Sequence, residues 1–214
     1  MEGNNKEEHP AILIIDMVKD TFDDRKNLPI TRPARKILDP INQMTAVFRE
    51  HKWPVIFSTD AFKRDDFIFT GRMKPHSLAG TSGAEVIDEL CRDSNDLWLP
   101  KPRFSAFFGT DLEQWLKSKN VTLCAVAGIA TNFCVLTSAL DAICCDFKAI
   151  ILEDCTAAVS EKVHQQTIDI YRRTALYPLL RVATSIEFLA DLAGGNQEKE
   201  PGIENAPPQM RPGS

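Results

Sequence analysis

The residues of this chain best equipped for chemistry are Cys134, Asp16 and Lys101, and each stands just beyond a short apolar run. Cys134 lies in Gly128-Ile129-Ala130-Thr131-Asn132-Phe133-Cys134-Val135, between the apolar run 121–127 and a helical pattern. With Thr131 as N-cap, Cys134 occupies the third helical position, where free backbone N–H groups and the positive end of the helix dipole favour a thiolate. Elsewhere that offset carries a carboxylate: Ser82-x-x-Glu85, Thr110-x-x-Glu113 and Thr184-x-x-Glu187 read as capping boxes. A sulfur in the place of the anion is a way to build a nucleophile. An Asp beside it can take the thiol proton and return it to a leaving group, while a nearby Lys favours the thiolate. The turn at Ile129-Ala130 adds backbone N–H groups suited to an oxyanion.

Residues so far apart in sequence need a fold that gathers them. Apolar runs at 11–15, 55–58, 97–99, 121–127, 149–152 and 179–182 alternate with helical patterns near 33–51, 83–91, 111–118, 132–145, 161–174 and 185–193. The runs are continuous rather than alternating, which predicts strands buried on both faces of a parallel sheet. A β-α-β rhythm of this kind implies right-handed crossovers and an α/β fold, a three-layer α/β/α sandwich with a mostly parallel sheet. In such sheets ligands sit beyond the carboxyl ends of the strands. Asp16, Thr59-Asp60, Lys101 and the turn bearing Cys134 all fall there, so a carboxylate, an ammonium and a thiol arrive at one crevice. The long connection 60–82, rich in Lys, Arg, Asp and Gly, reads as a lid or substrate loop. Residues 1–10 read as a polar extension, 11–193 as the domain, and the Gly/Pro/Glu/Gln-rich stretch 194–214 as a flexible tail.

Composition excludes other classes. The chain has 214 residues, 43% hydrophobic and 26% charged, enough for one domain with a sizeable core. A net charge of −5 argues against nucleic acid, because phosphate binding needs a basic face. No apolar run approaches the roughly 18 residues needed to cross a bilayer. The acidic opening Met1-Glu2-Gly3-Asn4-Asn5-Lys6-Glu7-Glu8 is unlike a signal peptide, so a cytoplasmic location is expected. The six cysteines (91, 124, 134, 144, 145 and 155) contain no Cys-x-x-Cys pair, and the expectation is free thiols rather than disulfides or a zinc site.

The run Ile14-Ile15-Asp16-Met17, the segment Lys101-Pro102-Arg103-Phe104-Ser105-Ala106-Phe107-Phe108-Gly109-Thr110 and the turn around Cys134 resemble the isochorismatase-like cysteine hydrolase family. His76-Ser77-Leu78-Ala79-Gly80-Thr81-Ser82-Gly83-Ala84-Glu85 and Glu153-Asp154-Cys155-Thr156-Ala157-Ala158 fit the same pattern, which covers about residues 11–190. The resemblance implies a Rossmann-like fold, a catalytic triad of Asp16, Lys101 and Cys134, and a cis peptide between Ile129 and Ala130. It implies an oxyanion hole from the amides of Ala130 and Cys134, hydrolysis of a small amide or ureido/carbamoyl compound through a thioester, and a homo-oligomer, dimer or tetramer. Retention of Cys134 favours the C–N hydrolases over the vinyl-ether-cleaving members, which do not depend on a cysteine there.

Nicotinamidases resemble this chain but hold a metal on an Asp-x-His pair and a later His. Asp60 and His76 match two of those positions and Phe62 stands at the third, so no metal and no cofactor is expected. The family's substrate-stacking Trp is Met73 here, which argues against nicotinamide as substrate. Candidate substrate-binding residues are Phe22, displaced by one position from the family's aromatic, with Asp60, His76, Phe104 and Asn132; Phe107 and Phe108 are further aromatics of the same segment. The expected partner is a small molecule, with neither nucleic acid nor membrane involved. Two other readings stand beside the hydrolase. A thiol-based redox sensor would need a partner for Cys134, and Cys144 and Cys145 lie about three helical turns further on. A dinucleotide binder would need Gly-x-Gly-x-x-Gly after the first strand, which this chain lacks.

Overall fold

A computed structural model describes residues 8–194; most of the expected N-terminal extension, and the tail from residue 195 onward, lie outside the described residues. The strands are β1 (Pro10–Ile15), β2 (Val55–Asp60), β3 (Leu97–Lys101), β4 (Leu123–Ile129), β5 (Lys148–Ala157) and β6 (Leu180–Ala183). They form one sheet in the order β3-β2-β1-β4-β5-β6, parallel at every pairing. Every apolar run expected to be a strand is one. The helices are α1 (Lys19–Phe22), α2 (Thr31–Lys36), α3 (Leu38–Glu50), α4 (Leu112–Ser118), α5 (Leu136–Cys144), α6 (Glu161–Arg172) and α7 (Ser185–Leu192).

Continuous apolar strands are explained by two cores, one on each face of the sheet. Along β1, Ile12 and Ile14 point into a core with Ile41, Met44 and Phe48 of α3 and Phe188 of α7. Ala11, Leu13 and Ile15 point the other way, against Leu112 and Leu116 of α4, Ala139 and Ala142 of α5, and Ile168 of α6. A strand with no wet face cannot alternate. The three layers are those expected, and among the described residues no helix is long and apolar enough to cross a membrane.

Three helical expectations change. The pattern near 33–51 is two helices, because Pro40 has no N–H for the carbonyl of Lys36 and the chain breaks at Ile37. The pattern near 83–91 is not an α-helix: only Ser82–Ala84 forms a 3₁₀ turn. Its backbone pairs instead with the segment after β1, Lys19 N–H donating to the Glu85 carbonyl at 2.9 Å and Ile87 N–H to that of Met17 at 3.0 Å. Of the three capping boxes, Thr184 with Glu187 forms fully. Thr110 instead donates its hydroxyl to the Ala106 carbonyl at 2.6 Å, and Glu85 pairs with Lys19 at 3.0 Å.

The join between β1 and β4 leaves no room for a side chain. Gly128 lies in register with Ile15 at φ +102°, and a Cβ there would fall 2.1 Å from the Ile15 carbonyl oxygen. This close approach seats the end of β4 directly against Asp16. Gly128→Ala is therefore expected to cost about 3 kcal/mol or more. A urea denaturation midpoint equal to that of the parent would contradict the packing described.

Candidate active site

The strand order reverses between β1 and β4, and the crevice at such a switch point is where α/β sheets bind ligands. Asp16 follows β1 there in the left-handed conformation, φ +55°, which Asp tolerates better than most residues. Its backbone N–H donates to the Ser58 carbonyl at 2.9 Å. One carboxylate oxygen accepts the Asp60 N–H at 2.7 Å and the other accepts the Lys101 ammonium at 2.9 Å. Asp60 and Lys101 are register partners on β2 and β3, and their side chains also form an ion pair. Lys101 is fully buried, and Asp16, Asp60 and Cys134 are each at most 8% exposed. The Sγ of Cys134 and one carboxylate oxygen each of Asp16 and Asp60 all lie within 4.8 Å of one another.

Cys134 arrives on an unusual turn. The Ile129–Ala130 peptide is cis, and residues Thr131–Val135 form a π-helical turn that continues into α5. The Ala130 carbonyl accepts N–H groups from Phe133 at 2.8 Å and Val135 at 3.3 Å. Thr131 is not the N-cap: Ala130 occupies that position and no side chain caps the turn. The Thr131 hydroxyl turns instead to Nδ1 of His164, 2.9 Å away on α6.

Electrostatics corrects the expected resting state of the sulfur. Burial, and then the negative charge of Asp16, push the Cys134 thiol well above its ordinary range, and the opposing Lys101 ammonium does not outweigh them. The sulfur rests as a thiol, not a thiolate. Burial alone would lower the pKa of Lys101, but the neighbouring Asp16 and Asp60 raise it, so the ammonium stays charged. Burial, and next the adjacent Asp16, push Asp60 up to about 8.

The two carboxyl groups and the thiol would suit a small cation, but that charge is supplied by Lys101, which bonds to both carboxyl groups. His76 does not join them. Its ring stands edge-on to Phe62 at 5.4 Å and Phe69 at 5.8 Å, and its Nδ1 donates to the Lys74 carbonyl at 2.8 Å. These donors do not fit a metal.

The other candidates scatter. Phe22 packs in the core with the Arg35 guanidinium 5.5 Å over its ring. Phe107 is core, whereas Phe108 is exposed. Phe104 is half-buried and meets Phe133 edge-to-face at 5.3 Å, and Asn132 is half-buried between the turn's other residues. The 60–82 connection is tied down rather than free: Asp20 accepts the Ser77 N–H at 2.7 Å, and Asp66 pairs with Arg103 at 3.0 Å. Asp154 serves α7, accepting the Ser185 N–H at 2.8 Å and its hydroxyl at 2.6 Å. None of the six cysteines is in a disulfide. The sequence reading missed Phe133, the Phe62–Phe69 contact and His164. For His164 a signal existed: it shares the buried stripe of α6 with Thr167 and Ile168.

A doubly wound parallel sheet with a thiol, an ammonium and two carboxylates buried at its switch point defines an α/β protein equipped for cysteine chemistry. Residues 10–183 match the Isochorismatase domain model, and the chain belongs to that family. It is 29% identical to the N-carbamoylsarcosine amidase of Thermoplasma acidophilum, with a TM-score of 0.70 over 82% of this chain and 96% of that one. It is 30% identical to the nicotinamidase PncA of Bacillus subtilis, again with a TM-score of 0.70, over 82% of this chain and 99% of that one. The ureidoacrylate amidohydrolase RutB of Enterobacter sp. (strain 638) is 33% identical over 122 residues, 54% of this chain and 50% of that protein.

Two outcomes follow from the charge states. Because folded Asp60 holds its proton up to about pH 8 against an ordinary value of 3.8, the folded state binds more protons than the unfolded state between those limits. Stability is therefore lost as pH rises through that window, and Asp60→Asn should lose less. Urea midpoints at pH 5 and pH 8 check this; equal losses in both proteins would refute it. Second, iodoacetamide at pH 7 should label the exposed Cys91 and Cys144 before the buried thiol of Cys134, as mapped by peptide mass spectrometry.

Proposed function

We propose that the chain is a cofactor-free cysteine amidohydrolase that cleaves the C–N bond of a small carboxamide or ureido/carbamoyl compound, with Asp16, Lys101 and Cys134 as its catalytic residues. The observation that carries this reading is the buried cluster in which the Cys134 sulfur lies within 4.8 Å of carboxyl oxygens of Asp16 and Asp60, both of which hold the Lys101 ammonium, after the cis Ile129–Ala130 peptide. The named activities of its relatives, which act on ureidoacrylate, N-carbamoylsarcosine and nicotinamide, support the reaction class.

In this reading Asp16 accepts the Cys134 proton as the sulfur attacks the carbonyl carbon. The C=O π electrons move to oxygen, and the oxyanion is held by the backbone N–H groups of Ala130 and Cys134. Asp16 then gives the proton to the departing nitrogen, the C–N bond breaks, and ammonia or an amine leaves behind a thioester. Water, deprotonated by Asp16, attacks the thioester and restores the thiol with release of the acid. Lys101 remains an ammonium throughout; it fixes Asp16 and offsets the charge that develops on sulfur. Substrate binding drives proton transfer from a resting thiol. The partner is a small molecule, and the working form is a homo-oligomer, dimer or tetramer.

An ammonia-release screen over small amides, ureides and carbamoyl compounds at neutral pH tests the reading. Cys134→Ala and Asp16→Asn should each lower turnover at least about 1,000-fold with the far-UV circular dichroism unchanged. Asn suits position 16 because its carbonyl can still accept the Asp60 N–H. Retained turnover in purified Cys134→Ala would rule the proposal out.

A further inference from the structure

We propose that His164 is a positioning residue for the nucleophile turn: it engages the Thr131 hydroxyl and so keeps the uncapped π turn open around Cys134. The inference rests on the cysteine hydrolase reading above. Its starting point is a hydroxyl in an unexpected place. A threonine at the start of a helix ordinarily turns its oxygen onto an N–H in the first turn. From Thr131 the amide three residues on is that of Cys134, one of the two proposed oxyanion donors. In the structure Ala130 holds the N-cap position, and the Thr131 hydroxyl, one residue on, lies 2.9 Å from His164 Nδ1.

Both partners are committed to the contact by burial. Thr131 is fully buried and His164 is 8% exposed. Leaving a buried hydroxyl without a partner costs about 1–3 kcal/mol, so loss of His164 drives the Thr131 oxygen to another donor. His164 belongs to α6, which packs on the π turn, and neighbouring Thr167 and Ile168 hold the same face of α6 in the core. The hydrogen bond of His164 goes to Thr131 and not to the thiol, the ammonium or the carboxylates, so the proposed route to the sulfur is the backbone from Thr131 to Cys134.

The test measures kcat and KM, on an amide found by the ammonia screen, for the parent, His164→Leu, His164→Asn, Thr131→Val, the double variant Thr131→Val/His164→Leu, and Cys134→Ala as reference. His164→Leu is expected to lower kcat about 10- to 100-fold, the scale of a small misplacement of a reacting group, with KM nearly unchanged. His164→Asn, whose amide nitrogen can occupy the place of Nδ1, should recover most of the rate. The double variant should be no slower than the slower single variant, because both changes remove one interaction. If His164→Leu does not fold, His164→Gln carries the kcat measurement: its amide lies one methylene further out than that of Asn, and the Thr131 hydroxyl stays in place to be released. Parent-like kcat in Thr131→Val and His164→Leu, or losses that simply multiply in the double variant, would overturn the inference. An inactive Cys134→Ala alongside parent-like His164 variants would refute only the role of His164. An active Cys134→Ala would instead remove the hydrolase reading itself.

Discussion

The site depends on one interaction: a lysine ammonium buried between two aspartates. Lys101 has no exposure to water, and an isolated charge in that position would be expelled or neutralised. It persists because the Asp16 carboxylate pairs with it, Asp60 accepts a further hydrogen bond from it, and the Asp60 N–H also holds Asp16 in place. Removing one member of such a group costs about 3–5 kcal/mol by leaving the rest uncompensated. The cluster is therefore a constraint on the fold as well as a set of reactive groups. It ties the ends of β1, β2 and β3 together at the height where β4 delivers its turn.

The same constraint decides the state of the sulfur. Dipole and first-turn N–H groups alone argue for a thiolate, but Cys134 shares its buried volume with the Asp16 carboxylate, the Asp60 carboxyl group and one ammonium. Ionising the thiol would add a further negative charge beside Asp16, and burial raises the cost of that charge. A resting thiol next to a carboxylate is a stored proton transfer. In the proposed mechanism the nucleophile forms only when an electrophile gives the charge somewhere to go, which would spare the cysteine from reaction with other electrophiles in the meantime.

Much of this was legible in the sequence because it follows from strand ends. Continuous apolar runs fixed the parallel sheet, and a parallel sheet puts Asp16, Asp60, Lys101 and Cys134 at one edge whatever the loops do. What escaped was decided by contacts between segments far apart in the chain. Thr131 has good cap chemistry, but His164, 33 residues on, competes for its hydroxyl. The 83–91 stretch has a helical period, yet its backbone finds partners after β1 and gives up the helix. Phe22 carries an aromatic in nearly the expected place, and Arg35 with the surrounding core claims the ring. Periodicity reports which face is buried; it does not report which neighbour arrives first.

The 60–82 connection shows how one residue type changes the chemistry available nearby. Phe62 is buried, paired through the backbone with Ser77 and Ala79, and its ring meets His76 and Phe69 at their edges. A second imidazole at position 62 would have offered a ligand close to Asp60; a phenyl ring offers packing only. Asp60, with no such partner, is committed to Lys101, and His76 is committed to an aromatic contact and a backbone carbonyl. What a metal site would have presented as a polar wall is thereby an apolar cluster of Phe62 and Phe69 against His76. In the proposed hydrolase, such a cluster would discriminate among substrates by shape and ring contacts, with the charge kept at Asp16, Asp60 and Lys101.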